Sequence, residues 1–134
     1  MVNYTSKTFI VRYTETDQMG FVHHSHYLNY FEMARIEWLN SIGFSYAGLE
    51  QQGIVMPVVS ANINYKSPAY FDELLRIKLS IVQIPKATIV INYTIVNESE
   101  REIANGSTTL AFLNNETKRP VRCPQVLLDI IESL

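Results

Sequence analysis

The feature that most constrains this chain is a helix too apolar to lie on a surface. From about residue 25 or 26 to residue 42 the spacing is helical, yet Tyr27, Leu28, Tyr30, Phe31, Met33, Ala34, Ile36, Trp38, Leu39 and Ile42 occupy most of its circumference. Such a helix must be covered on several sides. After Pro57 the period falls to two, with Val59, Ala61, Ile63 and Tyr65 alternating against Ser60, Asn62, Asn64 and Lys66 until Ser67-Pro68 breaks the run. Further strands are expected over residues 75–81, 87–96 and 103–113, the last two joined by the polar turn Asn97-Glu98-Ser99-Glu100. Ahead of the helix, residues 7–13 alternate as a first strand with Phe9, Val11 and Tyr13 on one side. Residues 45–52 make a short second helix closed by Gly53, and residues 124–134 a last amphipathic one. This order calls for an α+β fold in which a curved antiparallel sheet surrounds one long central helix.

A chain of 134 residues fits a single domain, residues 1–134, with no repeat and no linker. The formal charge of -2 leaves no basic footprint, so nucleic acid is not an expected partner. One cysteine, Cys123, excludes an internal disulfide and a cysteine-built zinc site, and it suits a reducing compartment as an inert thiol. The first eight residues are short and polar, and no apolar run approaches the roughly 20 residues needed to span a bilayer, so a cytoplasmic location is expected.

Chemistry concentrates between Tyr13 and Arg35. Asp17 stands on a loop before the helix, and His24 follows seven residues later. Unpaired N–H groups and the positive dipole end at a helix N-terminus favour an oxyanion developing on an attacked carbonyl. A carboxylate beside them attacks directly or deprotonates a water, and that pairing suits acyl transfer. The commoner role of an Asp in this position is an N-cap or turn residue. His23, His24, His26 and Asp17 are chemically suited to zinc, but their spacing matches no helical i, i+4 pair and no standard motif, so no metal is expected. Glu32 and Arg35, three apart on the helix, are expected to form a structural ion pair.

The segment formed by Tyr13, Glu15, Thr16, Asp17, Gly20, Val22, His24, Tyr27, Leu28, Tyr30, Phe31, Glu32, Ala34 and Arg35 resembles the signature of the hotdog-fold acyl-CoA thioesterases, in the 4-hydroxybenzoyl-CoA thioesterase and YbgC-like group. The likeness continues through Ile63-Asn64-Tyr65-Lys66-Ser67-Pro68-Ala69 and ends in Lys118-Arg119-Pro120. The resemblance implies hydrolysis of acyl-CoA without a cofactor, by a dimer that often pairs into a homotetramer with active sites at the subunit interface. It places Asp17 on the family's catalytic carboxylate, His24 on the histidine beside the thioester, and Tyr13 on a supporting position. It further implies that Gly20 lets the backbone approach the substrate and that backbone groups of Gly20, His24 and Ser25 surround the oxyanion.

The acyl pocket is expected from the helix and the strand after it, with Met19, Val59, Ser60 and Ala61 as lining residues. Lys66, Lys86, Arg119 and Arg122 are the candidate cations for the phosphates of coenzyme A. The sequence departs from the family pattern at Gln18, Met19, His23 and His26, positions that bear on pocket shape and acyl preference. Two other functions fit the same fold: a hotdog hydratase or dehydratase, and a non-catalytic acyl-CoA-binding module. The Asp17-to-Tyr27 segment is unlike the first, and an intact Asp17 and His24 argue against the second.

Overall fold

A computed structural model describes all 134 residues. In chain order the elements are β1 (Val2–Thr5), β2 (Phe9–Ile10), α1 (Tyr27–Ser41), α2 (Tyr46–Gln51), β3 (Ile54–Val55), β4 (Val58–Tyr65), β5 (Leu74–Ile81), β6 (Thr88–Asn97), β7 (Glu102–Ala111), β8 (Leu113–Asn114) and α3 (Gln125–Ser133). The main sheet is antiparallel and six-stranded, in the order β1-β5-β6-β7-β4, with β2 also paired to β5. β3 and β8 form a separate two-stranded ladder. β5, β6 and β7 are a meander whose inward residues, among them Ile77, Leu79, Ile91, Tyr93 and Leu110, are almost fully buried. The expected turn after β6 is present, with Asn97 and Arg101 joined by backbone hydrogen bonding and Glu100 at positive φ.

The first strand differs from the expected span of residues 7–13. Pairing with β5 is made by β1 and β2, and Ser6 bridges the gap by donating its N–H to the Ile77 carbonyl and accepting the Ile77 N–H on Oγ. From Arg12 onward the ladder loses to a local cap. Glu15 Oε1 accepts the Arg12 N–H at 2.8 Å, which closes residues 13–15 into a 3₁₀ turn and leaves Tyr13 exposed.

α1 is shorter than its apolar run, because residues 24–26 form a 3₁₀ turn that leads into it. Tyr27, Tyr30, Phe31, Ala34, Trp38 and Leu39 are buried, whereas Leu28, Met33 and Ile36 remain exposed, so within one chain the helix is covered on one broad face only. Its contact with the sheet is fixed by Phe31, which stacks on Tyr93 of β6 at 4.3 Å between centroids and 5° between planes. Gly106 on β7 lies directly opposite Tyr93, and a Cβ there would meet the Asn62 carbonyl and, at 3.0 Å, the Phe31 ring. The glycine makes the hollow that Phe31 occupies.

Arg35 does not pair with Glu32. The Arg35 side chain turns inward and is only 4% exposed, while Glu32 lies on the solvent side. Its Nε donates to Tyr46 Oη at 2.7 Å and its Nη1 to Tyr93 Oη at 3.1 Å, with Thr108 Oγ1 completing the chain at 2.7 Å from Tyr93 Oη. A network of neutral hydroxyls thus satisfies a buried guanidinium.

β4 also departs from expectation. It is an edge strand paired on one side only, and apart from Ile63 all its residues are exposed, Val59 at 58%. Alternation marks a strand's two faces, but whether anything covers either face depends on where topology puts the strand.

Two outcomes follow from this packing. Gly106→Ala should destabilise the fold by about 1–3 kcal/mol through overpacking at Phe31 and Asn62, read as a lower denaturation midpoint at unchanged m-value. Burial pushes the Cys123 thiol up to about 11, so it holds its proton at neutral pH. Native protein at pH 8 should resist iodoacetamide and become alkylated on unfolding; rapid native alkylation would contradict this environment.

Candidate active site

The loop between β2 and α1 is held in shape by its own polar groups before any ligand is considered. Glu15 is buried, and its Oε1 accepts the Tyr30 hydroxyl of α1 at 2.9 Å as well as the Arg12 N–H. Burial first, and then the Glu15 hydrogen bond and charge, raise the Tyr30 phenol well above its ordinary range, so this tyrosine is a permanent donor. Farther along, Thr16 and Val22 pair across the loop, the Val22 N–H donates to the Ala69 carbonyl, and the His23 N–H donates to the Glu15 carbonyl. The loop therefore returns upon itself and delivers residue 24 beside residue 17.

Asp17 sits at the tip of that return. Its Oδ1 accepts the Met19 N–H at 2.9 Å, an Asx-type turn, and its carbonyl accepts the Gly20 N–H at 3.0 Å. Gly20 has φ +87°, a conformation other residues rarely adopt, and this closes the turn tightly. Asp17 is thus a turn residue through one oxygen, while Oδ2 makes no hydrogen bond within the chain.

A cavity of about 350 Å³ opens beside this tip. Asp17, Met19, Phe21, Val22 and His24 line it from the loop. Tyr27 of α1 and the stretch Tyr65, Lys66, Ser67 and Pro68 at the end of β4 line the remainder. The Tyr27 and Tyr65 rings meet edge to face at 5.3 Å. Burial, then the Tyr65, Glu73 and Asp17 charges, push the Tyr27 phenol up to about 12, so this wall stays neutral. Arg101 reaches the rim, donating from Nε to Ser67 Oγ at 3.0 Å.

Of the residues expected in the site, the structure gathers Asp17, Met19, His24 and Lys66 around one cavity. Tyr13 lies outside it, 74% exposed and edge-on to Phe71. Val59, Ser60 and Ala61 are on the exposed edge strand, and Lys86, Arg119 and Arg122 are also away from this cavity. Sequence reasoning missed Tyr27 and Tyr65 as walls, and Ser67 and Arg101 at the mouth. Tyr65-Lys66-Ser67-Pro68 was visible as a strand end and breaker, but its approach to residue 17 is a long-range fact.

The three backbone donors expected near the oxyanion have different fates. The Gly20 N–H is taken by the Asp17 carbonyl, and the Ser25 N–H by His23 Nδ1 at 3.2 Å. The His24 N–H has no acceptor in the fold. Among the residues lining this cavity, the arrangement therefore leaves one Asp17 carboxylate oxygen and the amide N–H groups of Phe21 and His24 without partners in the chain. That is a minimal set for adding an oxygen nucleophile to a carbonyl. No three His, Cys, Asp or Glu side chains converge as a metal site.

Known proteins share both sequence and shape with the chain. The family profile of the thioesterase-like superfamily matches residues 11–131. The acyl-CoA thioester hydrolase YbgC of Escherichia coli O6:H1 is 31% identical over 112 residues, covering 84% of this chain and 83% of that protein. A DHNA-CoA thioesterase of Staphylococcus aureus superposes with a TM-score of 0.89 at 34% identity, covering 99% of this chain and 89% of the other. Slr0204, a 1,4-dihydroxy-2-naphthoyl-CoA thioesterase of Synechocystis, has the same fold at TM-score 0.91 and 24% identity, covering 99% and 98%. By sequence and fold, the chain belongs to the thioesterase-like superfamily.

Proposed function

We propose that the protein is an acyl-CoA thioesterase, hydrolysing the thioester to a free carboxylic acid and coenzyme A. The observation that carries this reading is one cavity lined by both Asp17, whose Oδ2 has no partner in the chain, and His24, whose N–H has none. The substrate carbonyl sits against the His24 N–H, which receives the negative charge as the carbonyl carbon becomes tetrahedral. Asp17 acts in one of two ways. As a nucleophile it forms an anhydride, the thiolate of coenzyme A departs, and water then cleaves the anhydride. As a base it takes a proton from water while the resulting hydroxide adds to the carbon, and that proton leaves on the thiol. The His24 imidazole positions the thioester from the same wall. Lys66 at the cavity edge and Arg101 at the rim supply charge for the phosphates, with Lys86, Arg119 and Arg122 as more distant candidates.

The whole chain acts as one hotdog thioesterase domain, in which the curved sheet wraps α1 as the central helix. It works as a homo-oligomer, a dimer or tetramer. Support comes from β4, a long edge strand open on both faces, and from Leu28, Met33 and Ile36 left uncovered on α1. In the dimer, Val59, Ser60 and Ala61 of β4 are covered by the second copy and join the acyl pocket. The single free cysteine suits action in the cytoplasm.

Thiol release from aryl-, short- and long-chain acyl-CoAs tests the reaction. Wild type should turn over at least one class with chelator present, and Asp17→Asn should lower turnover on the order of 10²–10⁴-fold. Tight acyl-CoA binding without turnover, unaffected by the substitution, would instead identify a binding module. The apparent KM should rise with salt as the cations are screened. Val59→Asp should shift the protein toward monomer in analytical ultracentrifugation, and a monomeric wild type would contradict the oligomer.

A further inference from the structure

His23 is the odd residue of the loop. Asn, Asp, Ser and Thr are the usual side chains at the first position of a helical turn. Here an imidazole holds that position, with extended backbone at φ −66° and ψ 140°. Its Nδ1 accepts the Ser25 N–H at 3.2 Å and lies 2.8 Å from Ser25 Oγ. An amide N–H can only donate, so the Ser25 N–H contact assigns the lone pair to Nδ1 and, in a neutral imidazole, the ring proton to Nε2. The Ser25 hydroxyl then donates to the same nitrogen. Meanwhile the His23 carbonyl accepts the His26 N–H at 3.0 Å, and the His23 N–H is fixed on Glu15. The ring itself lies against the His24 ring, 4.1 Å between centroids at 34°, with His26 edge-on at 6.4 Å.

We propose that His23 is a positioning residue for the thioesterase reaction: its imidazole caps the turn that carries His24 and braces the His24 ring against the cavity wall. The role depends on the function proposed above. The cap has a chemical consequence for the site, because it occupies the Ser25 N–H. One amide of the turn is thereby reserved for the substrate carbonyl, that of His24. An uncapped turn would leave the His24 backbone free to shift, and a loose His24 N–H stabilises a developing charge less than a fixed one. The cap should matter more than the stacking, because only the cap fixes the backbone.

Three variants separate the contributions. His23→Ala removes both, His23→Phe keeps a ring face without an acceptor, and His23→Asn keeps a good capping oxygen without the ring. Measured by thiol release with kcat and KM resolved, His23→Ala and His23→Phe should each lose on the order of tenfold or more in kcat with KM changed less than about threefold, and His23→Asn should recover most of the loss. Wild-type kcat in His23→Ala, an Asn variant no better than Ala, or a loss confined to KM would overturn the proposal. The ring is read separately by two-bond ¹H–¹⁵N correlation in native protein. An Nε2–H tautomer at His23 upholds the cap, and an Nδ1–H tautomer overturns it. If wild type and Asp17→Asn are equally inactive on every acyl-CoA, the thioesterase reading has failed and the reaction role of His23 with it, while the tautomer still decides the cap.

Discussion

The site depends on one buried carboxylate. Glu15 lies where the chain has left the sheet and not yet begun the helix, and it accepts hydrogen bonds from the Arg12 backbone behind it and the Tyr30 hydroxyl of α1 ahead of it. Removing a partner from a buried carboxylate acceptor costs about 1–3 kcal/mol, so the Tyr30 bond ties the loop to the helix while the Arg12 bond closes the loop's own first turn. Everything that faces the cavity from the loop hangs on this attachment. The His23 N–H docks on the Glu15 carbonyl, Asp17 follows two residues later, and Val22 fastens the far limb to Ala69.

From that attachment the division of labour follows. The meander and α1 form the packed body, where Phe31 on Tyr93 and the hollow at Gly106 set how close helix and sheet approach. The loop contributes polar groups that are mostly engaged with one another, and this gives the remaining free ones their meaning. Asp17 uses one oxygen to hold its own turn and keeps the other open, while the 3₁₀ turn satisfies the Ser25 and His26 amides and leaves that of His24. A rigid loop that keeps a carboxylate oxygen and an amide N–H free beside one cavity is the form a preorganised carbonyl site takes.

Much of the architecture was legible because period and punctuation are local. The strands that became β5, β6 and β7 differ from their expected spans by a residue or two, and Gly53 and Pro57 bracket the change from helix to strand as their chemistry demands. Three features were not legible, each for a stated cause. The run at residues 7–13 alternates, but Glu15 offers the Arg12 amide a better acceptor than the ladder does. β4 alternates as well, yet its position at the sheet edge, which leaves Val59 exposed, is decided by the order of all the strands. Arg35 prefers two tyrosines 11 and 58 residues away to the glutamate one turn back, since burial carries its side chain inward. Within the site, Asp17, His24 and Lys66 could be found from the resemblance and Met19 from its place in the same loop, whereas the approach of Tyr65, Ser67 and Arg101 to that loop is set only by the fold.

The central claim is that a thioester carbonyl rests between Asp17 and the His24 N–H. Backbone amide shifts on titration with phenacyl-CoA and acetonyl-CoA, ketone analogues in which a methylene separates the carbonyl from the sulfur, test it most directly. The largest downfield movement should fall on the His24 amide, with the Ser25 and Gly20 amides moving less because their protons are already held. A His24 amide unmoved at saturation, with the perturbed residues gathered elsewhere on the chain, would contradict it.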